Sequence, residues 1–161
     1  MPAPDEELYS LLVPLREGRL LVPRACVAEV VRYQPPDPVP GAPGWLRGLV
    51  PWSDRRIPLL SFEALLGQAS GEPGGRTRIA IFQGISGRLA AGMFGVLTEG
   101  FPQLVRVNRD VLELEERHPW PDPGPVVCQV RMINEHPLVP DLDSIEALLA
   151  TALAGEPEPL T

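Results

Sequence analysis

Lysine is absent from this chain of 161 residues, and all 14 of its cations are arginines. That excludes a Gly-rich phosphate cradle closed by a lysine. It leaves only planar, multi-donor guanidinium groups, which suit contact surfaces. Histidine is almost absent too. His118 and His136 each precede a proline, and no Cys or acid cluster surrounds either with metal-ligand spacing, so both read as solvated loop residues. The two cysteines, Cys26 and Cys128, lie among apolar neighbours and read as buried thiols, so nothing requires an oxidising compartment.

Long apolar runs are also missing. The longest uncharged stretch, Leu89 to Thr98, has ten residues, whereas a membrane-spanning helix needs about 20. Met1 to Ser10 holds three acids and no base, unlike a secretory leader. The expectation is a soluble, cytoplasmic chain with no direct membrane insertion. A net charge of −7 argues against nucleic acid as a partner. The charge is uneven: residues 1–109 sum to +2 and residues 110–161 to −9. Signals for catalysis are lacking as well. Gly84-Ile85-Ser86-Gly87 lacks the fifth position of a nucleophile elbow and reads as a hairpin turn. Glu113, Glu115 and Glu116 read as a solvated face. The chain is expected to be no enzyme and to need no cofactor and no metal.

What is abundant is proline: 21 residues, about 13% against a usual value of about 5%. The prolines separate apolar runs rather than replacing them, which predicts many short elements joined by stiff turns. Leu8–Leu15 and Arg19–Pro23 flank a turn ending in Gly18 and predict a hairpin. Val27–Tyr33, Trp45–Trp52 and Arg56–Ser61 predict further strands, the last at an edge or bulge because of Pro58. Residues 35–44 are too proline-rich for either regular element. Ser61–Gly67 predicts a short helix with a Ser cap, and residues 68–76 predict a linker between halves.

The second half repeats the theme. Strands are predicted over Thr77–Phe82, Arg88–Leu97, Phe101–Val107, Val126–Ile133 and Pro137–Leu142, with 109–117 ambiguous between strand and turn. A closing helix over 144–154 has one apolar face and an Asp143/Glu146 capping-box spacing. The tetrapeptide EALL recurs at 63–66 and 146–149, an offset of 83 residues and about half the chain. Nine or ten strands and two helices predict a mainly β fold with barrel-like closure. The folded unit is expected over 8–154, with flexible termini at 1–7 and 155–161.

Trp45 and Trp52 bracket the segment WLRGLVPW, with Arg47 between them and Arg55 and Arg56 just beyond. They read either as core anchors or as residues presented at an interface, where Trp and Arg are enriched. At this segment the sequence resembles the CheW-like family of coupling proteins. The likeness begins with LLVPLREGRLLVPRACVAEVVR (11–32) and continues through VPGAPGWLRGLV (39–50) and IPLLSF (57–62). It ends with RIAIFQGISGRLAAGMFGVLTEGFPQL (78–104) and PLVPDLDSIEALL (137–149).

The resemblance implies two intertwined five-stranded β-barrel subdomains with a C-terminal helix. It also implies a non-catalytic adaptor between a methyl-accepting chemoreceptor's cytoplasmic tip and the regulatory domain of a CheA-type histidine kinase; nothing in the sequence itself suggests more than a monomer on its own. Receptor contacts map onto Val27 and Glu29, and onto Arg47 and Gly48 in a WLRG turn. Val27, Leu46 and Trp52 would line a groove for apolar anchors, with Glu29 and Arg47 at its rim. The family's N-L-R-G falls here on Pro51-Trp52-Ser53-Asp54, so its hallmark Arg is Ser53. Arg55 or Arg56 would then carry the contact, or the partners differ. Such divergence is similar to accessory CheW-like proteins of type IV pilus systems that serve twitching motility. It is also what a regulator or decoy binding one partner would show.

Overall fold

The structure is a computed structural model, and it describes residues 8–69, 71–108, 110–115, 119–132 and 134–154. The expected flexible termini and the whole run 116–118, with Glu116 and His118, lie outside the described residues. In chain order the strands are β1 (Leu8–Leu15), β2 (Gly18–Pro23), β3 (Val27–Arg32), β4 (Leu46–Trp52) and β5 (Arg55–Leu60). After the one-turn helix α1 (Phe62–Leu65) come β6 (Arg78–Gln83), β7 (Met93–Thr98), β8 (Gln103–Val107) and β9 (Glu113–Glu115). Then β10 (Val126–Arg131), β11 (Leu138–Pro140) and the helix α2 (Leu142–Ala154) complete the fold.

Two sheets result, ordered β8-β1-β2-β11-β10-β9 and β3-β6-β7-β5-β4. Exchanging β1 with β6, β2 with β7, β3 with β8, β4 with β10 and β5 with β11 turns one order into the other. Only β9 is left over, which makes the first sheet six-stranded rather than five-stranded. The parallel pairs obey the same exchange, β11 with β2 and β5 with β7. The third strand of each half crosses to pair in the other half's sheet: β3 lies on β6, and β8 lies on β1. The halves are therefore interlocked, as expected of intertwined subdomains, and neither sheet is made of one continuous stretch of chain.

Burial explains why the strands read as nearly continuous apolar runs. Ile79 and Ile81 point into the second sheet's own core with Val50, Ile57 and Leu59. Their neighbours Ala80 and Phe82 point the other way, into a core shared between the sheets with Leu20, Leu60, Phe62 and Phe94. In the first sheet Leu12 and Leu21 line the inner core with Val107 and Val130, while Val13 and Val22 face the shared one. Side chains alternate along a strand, so these strands are buried on both faces. The rings of Phe82 and Phe94 stack 5.4 Å apart at the centre of the shared core.

Three local expectations are corrected. Of the edge or bulge expected at Pro58, the edge is not found, since β5 is internal to its sheet, while the β4–β5 pair carries a bulge beside it, between Leu46 and Gly48. Residues 88–92 form part of the β6–β7 connection, where Gly92 takes a positive φ of 72°, and β7 starts only at Met93. The cap of α2 is Asp141, whose carboxylate accepts from the Ser144 N–H at 3.0 Å. Asp143 instead pairs with Arg88 at 2.6 Å. Among the described residues no helix is long and apolar enough to cross a membrane.

Candidate functional site

β3 and β4 are the two edges of the second sheet, and the residues singled out in the sequence lie on or beside them. β4 and β5 are joined by a two-residue turn, Ser53-Asp54, with Trp52 opposite Arg55. Ser53 has φ 55°, and it is the one non-glycine with positive φ among the described residues. So tight a hairpin requires the left-handed region at its first turn position, at a cost of about 1 kcal/mol for a residue with a side chain. Asp54 follows it with its carboxylate 91% exposed.

From β4, the indole N–H of Trp52 donates to Glu29 on β3, Nε1 to Oε2 at 3.0 Å. A tryptophan and a glutamate 23 residues apart thus bridge β3 and β4, the two outer strands of the second sheet. The chain after β3 reinforces this closure. The Gln34 amide donates to the Pro51 carbonyl at 3.2 Å. Asp37 and Leu49 exchange backbone bonds of 2.8 and 2.9 Å. The same Asp37 receives Arg56 in an ion pair of 2.7 Å, and Arg55 donates to the Ala91 carbonyl at 3.0 Å. These exposed pairs each contribute about 0–1 kcal/mol, so they orient side chains more than they stabilise the fold.

Gly48 shows why the segment needs a glycine. Its φ is 141°, and a Cβ there would stand 2.2 Å from the Asp37 carbonyl oxygen. The proline-rich loop runs directly over it. WLRG is accordingly not a turn: Leu46, Arg47 and Gly48 lie in β4, with a bulge between Leu46 and Gly48. The bulge switches the face that β4 buries. Before it, Leu46 enters the shared core, and after it Val50 and Trp52 pack against the second sheet's core.

The sequence-predicted groove of Val27, Leu46 and Trp52 is therefore divided. Leu46 is 5% exposed and sealed into the core, and Val27 is half-buried against the same cluster. Trp52 packs on the other side of the bulge. The two tryptophans also part. Trp45 packs against the shared core and lines an apolar groove of about 420 Å³ with Pro43, Pro123 and Leu148. Brought together at the rim are Glu29, Trp52, Ser53, Arg55 and Arg56, with Arg47 half-buried in β4. Asp37 is the site residue that sequence reasoning missed. Its only signal was an acid inside a proline-rich loop.

The cysteines stand apart from this rim. Burial pushes both thiols, Cys26 and Cys128, above the usual thiol range, as expected where the thiolate loses hydration. Among the described residues no three His, Cys, Asp or Glu side chains gather as a metal site would require.

Two interlocked β sheets with a polar rim at an edge-strand hairpin define the class by fold: a mainly β protein built of two equivalent halves. A CheW-like domain model matches residues 10–137, and the chain belongs to the CheW-like domain family. Among solved structures it is similar in fold to the scaffolding protein TtCheW from Thermoanaerobacter tengcongensis. The TM-score is 0.71 at 14% identity, over 85% of this chain and 90% of that one. No curated protein sequence matches the chain.

Proposed function

We propose that this chain is a non-catalytic coupling adaptor, monomeric on its own, in a bacterial chemosensory system. It links the cytoplasmic tip of a methyl-accepting chemoreceptor to the regulatory domain of a CheA-type histidine kinase, and reaches membrane arrays only through these partners. The observation that carries the reading is the 3.0 Å bond from Trp52 to Glu29. It joins the strand that the family resemblance marks for receptor contact to the hairpin where the family places its hallmark Arg. Arg47 and Gly48 share β4 with Trp52, while Val27, Trp45 and Leu46 pack on the shared core.

The turn itself carries Ser53 and Asp54 in place of Arg and Gly. Arg55 and Arg56, each more than half exposed, stand beside it as the available guanidinium groups. This displacement supports the narrower placement as an accessory coupler of a type IV pilus system serving twitching motility. It equally favours a second reading, a regulator that binds only one array partner. Calorimetric titration of the protein with the receptor cytoplasmic fragment and with the kinase regulatory domain separates them. The adaptor binds both, and a double Arg55→Ala, Arg56→Ala variant loses affinity for at least one. Binding to a single partner selects the regulator, and binding to neither removes the coupling reading.

A further inference from the structure

The exchange symmetry gives each half a glutamate at the same place, Glu63 in α1 and Glu146 in α2, each facing a hairpin connection. Glu146 is fully buried, and its two carboxylate oxygens accept from the backbone N–H groups of Ile85 at 2.9 Å and Ser86 at 3.4 Å. Glu63 accepts from the Arg16 N–H at 3.2 Å and borders an open groove. It thereby fixes the β1–β2 turn, whose arginines, Arg16 and Arg19, also line a separate cleft. This cleft, of about 450 Å³, lies between the turn, the segment leading into β6, and Glu99 just after β7.

Three guanidinium groups line the cleft, from Arg16, Arg19 and Arg76, against one carboxylate, Glu99. Two of them are held in place. Arg16 pairs with Glu99 at 3.3 Å and donates to the Glu72 carbonyl, and Arg19 pairs through Nε with Glu135 at 3.0 Å. The terminal nitrogens of Arg19 donate to nothing among the described residues, and the exposed Arg76 has no ion pair among them. Beside these groups Gly74–Thr77 closes a tight turn. The Thr77 N–H donates to the Gly74 carbonyl at 3.1 Å, and the Gly74 N–H to the Thr77 hydroxyl at 2.9 Å. Arg78 fastens the turn through the Gly75 and Thr77 carbonyls at 3.0 and 2.9 Å. The central N–H groups, of Gly75 and Arg76, have no acceptor among the described residues. Nothing in the fold requires glycine here: neither Gly74 nor Gly75 has a positive φ, and a Cβ on either would meet open space. Two glycines that neither conformation nor packing demands, on the wall of a cationic cleft, let a ligand approach the backbone closely.

We propose that this cleft binds the phosphate group of a small molecule. The N–H groups of Gly75 and Arg76 and the Arg76 guanidinium take its oxygens, while Arg16 and Arg19 complete the ring of donors. Successive N–H groups in a turn make an anion cradle, and guanidinium forks match phosphate oxygens two at a time. Phosphate is favoured over carboxylate because its tetrahedral oxygens reach the turn and three guanidinium groups together, where a carboxylate offers two oxygens in one plane. No aromatic side chain lines the cleft to stack a base, so the phosphate, as the free ion or a monoester, is the recognised group. The volume lies within the usual range for ligand clefts. The cleft shares no residue with the β4–β5 rim and does not depend on the coupling reading.

The test is a titration at constant ionic strength, followed at the Gly75 and Arg76 amide resonances. The probes are inorganic phosphate, AMP, adenosine, succinate and chloride. Phosphate and AMP are expected to give saturable shifts at millimolar concentration, and adenosine, succinate and chloride are not. AMP binding more tightly than phosphate assigns the ligand to a monoester, and equal binding assigns it to the free ion. Arg76→Gln is expected to weaken phosphate binding about fivefold. Gly75→Ala, whose added Cβ meets open space, is expected to keep the thermal midpoint and to weaken binding as well. Succinate or chloride shifting the resonances as phosphate does, adenosine binding as AMP does, or undiminished binding in both variants overturns the phosphate site.

Discussion

The two halves of this molecule share one topology and use it differently. In the second sheet the free edges are tied across by Trp52 and Glu29, and the rim so formed stays exposed. In the first sheet the corresponding edge is extended by β9, which Arg131 clasps through Glu113 at 3.1 Å and Glu115 at 3.5 Å. The helix glutamates differ in the opposite sense: the one facing the β6–β7 connection is sealed, and the one facing the β1–β2 turn opens on a groove. A duplicated framework thus keeps its core equivalent while each copy exposes a different edge. The two copies differ at their edges rather than in the shared strands.

The largest expected effect comes from striking the core that both halves share. Phe94→Ala removes a fully buried ring stacked on Phe82 and is expected to cost about 3–5 kcal/mol. Urea unfolding should show both halves lost in one transition, and two separated transitions would break the picture of interlocked halves. Gly48→Ala comes next, at about 2–4 kcal/mol, because it meets the Asp37 backbone at a left-handed φ. A neutral effect on the thermal midpoint would mean that the proline-rich loop does not press on β4.

The paired glutamates sharpen the contrast directly. Glu146→Ala leaves two part-buried N–H groups without their acceptor and is expected to cost about 2–3 kcal/mol, while Glu63→Ala leaves one and costs about 1 kcal/mol. Equal losses in chemical denaturation would erase the asymmetry between the halves. At the small end, Trp52→Phe keeps the packing and loses one exposed bond, for less than about 1 kcal/mol. Its effect should appear in receptor affinity instead. The raised thiol ranges of Cys26 and Cys128 predict less thiolate at pH 8 than in the unfolded chain, and therefore slower reaction with a disulfide reagent.

Much of the fold was legible because its strands are apolar and its turns are marked. β1, β2, β10 and α2 fall within two residues of their sequence-based limits, since Gly18 and the proline clusters fix where each run stops. EALL disclosed the duplication. What the sequence hid was long-range. Glu146 fits a local capping pattern, yet its carboxylate bonds Ile85, 61 residues away. The bulge at β4 follows from the crossing of the proline-rich loop, and it sends Leu46 and Trp52 to different cores. Of the candidate site, the residue types were visible, while the Trp52–Glu29 bridge and the part played by Asp37 exist only once the edges meet.

Whether the β3–β4 rim is a receptor contact is decided by the affinity of Glu29→Arg for the receptor cytoplasmic fragment, read by calorimetry alongside its thermal unfolding. Glu29 is exposed, and its carboxylate meets only the Trp52 indole among the described residues. A loss of affinity of at least about tenfold is expected, with the melting temperature nearly unchanged. Full affinity in a folded variant would contradict it, as would a large fall in melting temperature, which would make Glu29 a structural tie and no contact at all.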